Sequence, residues 1–214
     1  MTRIVLISDT HTYLPDTTHW PEADVVIHAG DFQGSGYRHQ EVKDFGKWFS
    51  NLNYPSRLLV GGNHDRMLET NRDYCLSKFS SEVIYLENQS VEINGLKYYG
   101  SPITPWFYAW AWNVFPEDIK PYWDAIPDDT NVLITHGPPR GILDTAFLGG
   151  EKLGCPELRN RVEDLEDLKL HVFGHIHGGK GTVVKFGAWF VNASYVDEEY
   201  RPNLVTPFTY LEIE

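Results

Sequence analysis

Five short apolar runs, each ending in a polar cluster, constrain the fold of this chain most strongly. They cover residues 3–8, 25–28, 57–60, 132–135 and 171–173, and their β-branched composition is typical of buried strands. The motifs that follow are Asp9-Thr10-His11, Ala29-Gly30-Asp31, Gly61-Gly62-Asn63-His64-Asp65, His136-Gly137-Pro138-Pro139 and Gly174-His175-Ile176-His177. Ligand sites of open α/β sheets form at the carboxyl ends of strands, so we expect one site where these five ends converge.

Helices and further strands complete the predicted architecture. Apolar residues recur at helical spacing over residues 39–52 and 155–168, which indicates two helices with one buried face each. The tail predicts strands at residues 182–186, 188–193 and 208–213. This mixture favours two sheets packed face to face with helices outside. Because no repeat or linker interrupts the sequence, we expect a single domain over residues 1–214.

The polar clusters contain a set of side chains typical of a metal centre. Carboxylate oxygen and imidazole nitrogen suit divalent ions such as Mn, Fe or Zn, and thiolates are not required. Eight candidates are too many for one ion but fit two ions and one group that supports the ligands, and two ions serve phosphoryl transfer. They are Asp9, His11, Asp31, Asn63, His64, His136, His175 and His177.

The spacing of these residues supports a shared site. Asp9 and His11 are two residues apart, as are His175 and His177, so on an extended backbone each pair points in one direction. A glycine precedes Asp31, Asn63 and His175, which permits tight turns and close backbone approach. A lone histidine at a strand end is more often structural than a ligand. The histidines outside these motifs stay in that structural class: His19, His28, His39 and His171.

The overall charge limits the partners. The formal net charge is -12, and no Lys/Arg run is present, which disfavours long nucleic acid and anionic membranes. The two cysteines, Cys75 and Cys155, are far apart in the sequence and are not a disulfide framework, which suits a reducing compartment. No apolar stretch is long enough for a membrane span. We therefore expect a cytoplasmic protein with no membrane association.

The five motifs, in this order, resemble the calcineurin-like metallophosphoesterase superfamily. That pattern is D-x-H, G-D, G-N-H-[DE], H and G-H-x-H, and here it runs from residue 9 to residue 177. Longer blocks are similar to the metallophosphoesterase-domain subfamily. They are His28-Ala29-Gly30-Asp31, Gly100-Ser101-Pro102, Trp123-Asp124-Ala125-Ile126-Pro127, Val172-Phe173-Gly174-His175-Ile176-His177 and Phe190-Val191-Asn192-Ala193-Ser194.

The resemblance implies a fold and a ligand assignment. The fold is a four-layer αββα sandwich of two mixed β-sheets flanked by helices. One metal ion is held by Asp9, His11 and His177, the other by Asn63, His136 and His175, and Asp31 bridges the two. A hydroxide that bridges the ions attacks phosphorus. His64, paired with Asp65 or a similar carboxylate, protonates the leaving oxygen or stabilises the transition state. Mn is the favoured metal, with Fe, Zn, Ni, Co or Mg as alternatives.

An aromatic segment and one arginine are the candidate substrate contacts. Trp106, Trp110 and Trp112 lie in a segment that could stack on a nucleobase or equally cover one end of the sandwich as a packed loop. Arg140 follows the His136 motif and is a candidate phosphate contact, with a plain surface charge as the alternative.

Several functions fit these observations. The favoured one is hydrolysis of small phosphodiesters, with cyclic nucleotides among the candidate substrates. A phosphomonoesterase or nucleotidase is the main alternative. A nuclease is disfavoured by the acidic charge, and a non-catalytic scaffold is disfavoured because all seven ligand positions are present. The oligomeric state stays open.

Overall fold

Two mixed β-sheets dominate the computed structural model, which describes residues 1–146 and 150–214. In that part of the chain, the first sheet has the order β13-β1-β2-β3-β4. Strands β1 to β4 are parallel neighbours and β13 is antiparallel to β1. The strands are β1 (Thr2–Ile7), β2 (Val25–His28), β3 (Ser56–Leu59), β4 (Val83–Tyr85) and β13 (Thr209–Ile213).

The second sheet of the described residues has the order β11-β12-β10-β9-β6-β5. Its central strands β6, β9, β10 and β12 are parallel, and β5 and β11 pair antiparallel at the edges. Its strands are β5 (Gln89–Ile93), β6 (Leu96–Ser101), β9 (Val132–Thr135), β10 (Leu170–Phe173), β11 (Gly181–Lys185) and β12 (Ala188–Asn192). The short strands β7 (Thr104–Pro105) and β8 (Asn113–Val114) pair with each other.

The described helices are short apart from α1. They are α1 (His39–Ser50), α2 (Arg66–Thr70), α3 (Arg72–Leu76), α4 (Lys120–Asp124), α5 (Pro156–Asp164) and a 3-10 turn at His177–Gly179. The predicted helix at residues 155–168 is wrong at its end, because Leu165 turns to extended backbone. Among these helices, none has both the length and the apolar character needed to cross a bilayer.

Successive side chains of each strand point to opposite faces of its sheet and therefore pack in different layers. Ile4, Leu6, Val172 and Val191 share one buried cluster between the two sheets. A second cluster contains the opposite faces of both sheets together with the helices, and its members include Val5, Val26, Phe45, Phe49, Leu133, Phe173, Phe190, Trp123, Leu158 and Val162. A buried cluster between the sheets and helices over their outer faces confirm the predicted four-layer sandwich.

The two sheets meet at the edge where their parallel strands end. Ser8, directly after β1, forms a β-bridge with Ser194, two residues after the end of β12. The Ser8 amide donates to Ala193 O at 3.0 Å, and the Tyr195 amide donates to Ser8 O at 2.7 Å. This connection brings the carboxyl ends of both sheets to one place, as the five terminal motifs require.

Candidate metal centre

The strand ends of both sheets bring the predicted ligands together. The described residues contain three groups of side chains, and within each group the ligand atoms all lie within 4.8 Å of one another. The groups are Asp9, His11 and His177, then Asp31, His136 and His175, and also His11, Asp31 and His64. Asp31 belongs to two of these groups, so its carboxylate lies between the two halves of the cluster. The first two groups match the two halves that the family resemblance implies.

Individual distances describe a compact cluster of donors. His177 Nε2 is 3.3 Å from Asp9 Oδ1, and His136 Nε2 is 3.3 Å from Asp31 Oδ2. His11 Nε2 is 3.7 Å from Asp31 Oδ2. Asn63, the remaining predicted ligand, has its Oδ1 2.9 Å from the same His136 nitrogen. Every predicted ligand therefore lies in the cluster, while its role in binding metal stays a prediction.

Backbone carbonyls fix the orientation of the histidine rings. The Nδ1 atom lies 3.2 Å from Gln33 O in His11, 2.9 Å from Ala29 O in His136 and 3.0 Å from Asp197 O in His177. A carbonyl oxygen only accepts hydrogen bonds, so each Nδ1 carries the proton. The Nε2 atoms are then left with the lone pair that a metal requires, and an Nδ1–H bond to a carbonyl is the usual support of a ligating histidine.

The cluster fits divalent cations because its acceptor atoms face one another. The Nε2 lone pair of His136 points to two further acceptors, Asn63 Oδ1 and Asp31 Oδ2. His11 Nε2 is buried and has no hydrogen-bond partner. Acceptors without a shared donor are unfavourable in a buried site. A cation between them removes this conflict, and the oxygen and nitrogen donor set suits two divalent ions.

The pKa values of the buried side chains also indicate that the cluster requires positive charge. Burial works against ionised Asp31, but the charge of His136 and its neighbours lowers the pKa of this carboxyl well below its usual range. Burial also works against ionised Asp9, and its pKa is lowered by a hydrogen bond from His177, which requires a second proton on His177 Nε2. Although burial disfavours a charged imidazole, Asp31 raises the pKa of His136 to about 9. A proton on His136 Nε2 and a metal ion are therefore alternative ways of satisfying the same atoms.

Two other predicted ligands are neutral at ordinary pH. Burial lowers the pKa of His11 to about 4 and that of His175 to about 3. Metal binding requires the unprotonated imidazole, and these two rings hold that form without competition from protons.

Strained backbone places several of these side chains. Asp9, His11, Asp31 and His175 have positive φ angles of 51°, 40°, 58° and 66°. Residues other than glycine rarely adopt this left-handed backbone conformation, and those that do concentrate at functional sites. The extended backbone that the two-residue spacing predicts is therefore wrong. The members of each pair converge through left-handed turns after the strands have ended.

Two glycines make room for the cluster. Gly30 has a φ of +100°, and a Cβ there would lie 2.6 Å from His136 Nδ1. A Cβ on Gly174 would overlap the Asp9 carboxylate and the Ser8 side chain. The backbone at both glycines therefore lies close to the cluster, as the sequence predicts.

Asp65 differs from its predicted role as the partner of His64. Its carboxylate accepts three backbone N–H bonds, from Asp31 and Gly62 at 2.8 Å and from Gln33 at 2.9 Å. The His64 Nδ1 instead contacts Gly34 O. Burial and the charge of Asp31 raise the pKa of Asp65 well above its usual range. Asp65 thus ties the Asp31 loop to the Asn63 loop, and the predicted His64–Asp65 pair is absent among the described contacts.

Two residues at the end of β12 support the cluster and were not predicted. Ser194 Oγ lies 2.9 Å from Asp9 Oδ2 and 2.8 Å from Asn192 Oδ1. Asn192 Nδ2 donates to Ile176 O at 2.7 Å, between the histidines of the last motif. The signal was available, because polar residues follow a buried strand here as they do in the five motifs.

A cleft of about 490 Å³ opens over the cluster. Its described lining includes Asp31, Asn63, His64, His175 and His177 together with Phe107, Tyr108, Trp110, Glu198 and Tyr200. The Trp110 ring stacks on the His64 ring at a centroid distance of 4.3 Å. The Tyr200 ring lies edge-on to His11 at 4.8 Å. Of the four predicted substrate contacts, Trp110 alone belongs to this described lining.

The other three predicted contacts lie elsewhere. Trp112 is 7% exposed, and its ring packs so closely on Gly61 that a Cβ there would meet it at 2.5 Å. Trp106 stacks on Phe115 with a centroid distance of 5.4 Å. Arg140 is exposed, and its carbonyl accepts from Arg159. Trp112 is therefore a core residue, as expected if the aromatic segment is a packed loop.

Comparison with known proteins gives a consistent family. The family model described as calcineurin-like phosphoesterase matches residues 2–179. The human protein named metallophosphoesterase domain-containing protein 1 is 37% identical over 94% of this chain and 68% of its own length. A UPF0046 protein of Caenorhabditis elegans is 35% identical over 90% of this chain and 69% of its own length.

Solved structures give a weaker likeness. The NAD nucleotidase of Haemophilus influenzae aligns with 82% of this chain and 38% of its own chain, at 13% identity and a TM-score of 0.46. That likeness is too low to support a conclusion about this chain.

The Ser194 contact predicts a specific loss of metal affinity. Ser194→Ala removes the hydroxyl from Asp9, and loss of such a supporting bond typically weakens metal binding by about tenfold. Calorimetric titration of metal-free protein with Mn²⁺ measures this change. Ser90→Ala, at an exposed serine on β5, is the matched control and should bind like the wild type. Equal affinities for Ser194→Ala and the wild type would contradict the role given to Ser194.

Proposed function

The chain belongs to the calcineurin-like phosphoesterase family, and from that premise we propose that it hydrolyses small phosphodiesters with two divalent metal ions. The observation that carries the proposal is the position of Asp31. Its carboxylate lies 3.3 Å from His136 Nε2 in one half of the cluster and 3.7 Å from His11 Nε2 in the other. A carboxylate between two sets of nitrogen donors is suited to bridging two ions.

The ligands divide into two sets. Asp9, His11 and His177 would hold one ion, and Asn63, His136 and His175 would hold the other, with Asp31 shared. The grouping of their ligand atoms supports this division. The oxygen and nitrogen donors admit Mn, Fe, Zn, Ni, Co or Mg, and Mn²⁺ is the ion we propose for assays. When bound, such ions offset charge on the phosphate oxygens and lower the pKa of a water molecule.

His64 is the candidate acid for the leaving oxygen. Its Nδ1 contacts Gly34 O, which requires the proton on Nδ1, so Nε2 is the ring atom left to exchange a proton with the leaving oxygen. The ring lines the cleft and is held on one face by Trp110. Asp65, through its bonds to the Asp31 and Gly62 amides, fixes the loop that presents His64 rather than acting on the proton.

The cleft supports a small, singly charged substrate. A volume of about 490 Å³ suits a mononucleotide or a similar molecule. Its described lining contains neither Lys nor Arg, which favours a monoanionic diester over a dianionic monoester. Phe107, Tyr108, Trp110 and Tyr200 offer aromatic surface for a flat group, so cyclic nucleotides are candidate substrates. The net charge of -12 argues against long nucleic acid.

Two broader proposals accompany this function. Residues 1–214 act as a single domain, because β13 near the end of the chain pairs with β1 at its start and completes the first sheet. The protein works in the cytoplasm, a reducing compartment, in keeping with the two buried free thiols of Cys75 and Cys155.

A comparison of model substrates tests the reaction. With added Mn²⁺ between pH 5 and 9, the protein should hydrolyse bis-p-nitrophenyl phosphate faster than p-nitrophenyl phosphate. Removal of metal with a chelator should abolish both activities. Faster hydrolysis of the monoester would favour the phosphomonoesterase instead, and absence of metal-dependent turnover across this pH range would contradict the proposal.

Leaving groups of different basicity test the acid. Loss of a general acid typically costs roughly a hundredfold or more in rate when the leaving oxygen is basic. His64→Ala should therefore lower kcat for a cyclic nucleotide, which expels an alkoxide, far more than for bis-p-nitrophenyl phosphate, which expels a weakly basic phenolate. A similar loss with both substrates would contradict the role of His64.

Because Trp110 stacks on His64, replacing Trp110 should also lower kcat more for the cyclic nucleotide, but by less than replacing His64. Trp110→Leu removes the ring that holds His64, so kcat should fall by about tenfold more for the cyclic nucleotide than for the p-nitrophenyl diester. Trp110→Phe keeps an aromatic face and should retain most of the activity. Trp189→Leu changes an exposed tryptophan on β12 and should act like the wild type. Equal losses with both substrates would show that Trp110 does not act through His64.

A further inference from the structure

Two buried histidines outside the ligand set each contact a threonine of the neighbouring strand or of the loop that follows it. His28 is the last residue of β2, and His171 lies in β10; both are fully buried. Burial lowers the pKa of each to about 3, so both rings are neutral. Nothing in the proposed reaction uses them.

Hydrogen-bond donors and acceptors fix the proton on the His28 ring. The Gly30 amide donates to His28 Nδ1 at 3.3 Å, so Nδ1 carries the lone pair. The proton of the neutral ring is then on Nε2, which donates to Thr10 Oγ1 at 3.1 Å. Thr10 is fully buried and lies between Asp9 and His11, two of the proposed ligands.

The same reasoning applies to His171. The Thr135 hydroxyl donates to Gly137 O at 2.7 Å, so its only proton is committed. Thr135 Oγ1 must therefore accept from His171 Nε2, which is 2.8 Å away. His171 Nδ1 has no hydrogen-bond partner, in keeping with a ring whose proton is on Nε2. Thr135 directly precedes His136, a proposed ligand of the other ion.

The two pairs are arranged alike. His28 is on the strand next to β1, whose end leads to Thr10, and His171 is on the strand next to β9, which ends at Thr135. We propose that His28 and His171 are positioning residues, each holding through one threonine the ligand loop of one half of the metal centre. This inference rests on the proposed assignment of ligands to two ions.

Packing alone does not explain these histidines. The His28 ring contacts Phe32, Phe45 and Phe49, and the His171 ring contacts Phe173 and Phe190. Phenylalanine would fill either aromatic surrounding without burying a polar group, and burying a polar group is unfavourable unless it is hydrogen-bonded. The hydrogen bond to threonine is what histidine adds.

The first half of the centre needs such a restraint. Asp9, His11 and also Thr12 have positive φ angles. Strained residues of this kind persist only when their surroundings hold them in place. A bond from the neighbouring strand to Thr10, in the middle of the strained segment, supplies that restraint.

Titration of metal-free protein with Mn²⁺ tests the proposal. His28→Phe and Thr10→Val should each weaken one of two binding steps by about tenfold and leave the other unchanged. The double variant should be no weaker than either single variant, because both remove the same bond. His171→Phe and Thr135→Val should act on the other step. His177→Ala and His175→Ala, which remove ligands, identify the steps.

Two controls separate positioning from general stability. Val162→Ala shortens a buried side chain of α5, so it should lower the unfolding midpoint and leave both Mn²⁺ affinities unchanged. His28→Gln keeps a side-chain N–H that can reach Thr10 and should restore most of the affinity. Thr10→Val is nearly isosteric, so it tests the bond even where His28→Phe does not fold.

The outcomes distinguish this inference from the proposed function. Two Mn²⁺ steps in the wild type, with both steps unchanged in Thr10→Val and Thr135→Val, would overturn the positioning role alone. An unfolding midpoint that falls as in Val162→Ala, without selective loss of one step, would overturn it as well. A wild type that binds no Mn²⁺ would contradict the proposed function and this inference together.

Discussion

The structure depends on one electrostatic constraint, which is that several buried acceptor atoms surround the same small space. The carboxylates of Asp9 and Asp31 are almost fully buried, and the lone pair of His136 Nε2 faces oxygen atoms of Asn63 and Asp31. Such atoms repel one another unless positive charge lies between them. Two divalent ions satisfy the arrangement, and the carbonyl bonds to the histidine Nδ1 atoms prepare the rings for them.

The rest of the fold holds this unfavourable arrangement in place. Buried parallel strands end at a common edge, and the bridge between Ser8 and Ser194 joins the two sheets there. The loops that follow the strands contain residues with positive φ angles, and residues outside the ligand set hold these loops by hydrogen bonds. Asp65 binds three backbone amides, while Ser194 contacts the Asp9 carboxylate. The stability of the sandwich core thus compensates for strain at its edge.

The sequence could predict the ligands because their signal is local. Each follows an apolar run, and such runs become strands in almost any buried setting, so the strand ends and their convergence are foreseeable. The supporting contacts are different, since Ser194 and Asp9 are 185 residues apart and no local pattern pairs them. The role of Asp65 is hidden from the sequence for the same reason: its neighbour in sequence is His64, but its carboxylate accepts from the amides of Asp31 and Gln33. Whether Trp110 or Trp112 faces the cleft also depends on tertiary packing.

The positions of bound metal ions would show whether Asp31 lies between two of them. Crystals grown with Mn²⁺ and measured at a wavelength where manganese scatters anomalously would locate each ion without assuming its ligands. We expect two anomalous peaks about 3.5–4 Å apart, one on each side of the Asp31 carboxylate. A single peak at full occupancy, or two peaks away from Asp31, would contradict this expectation.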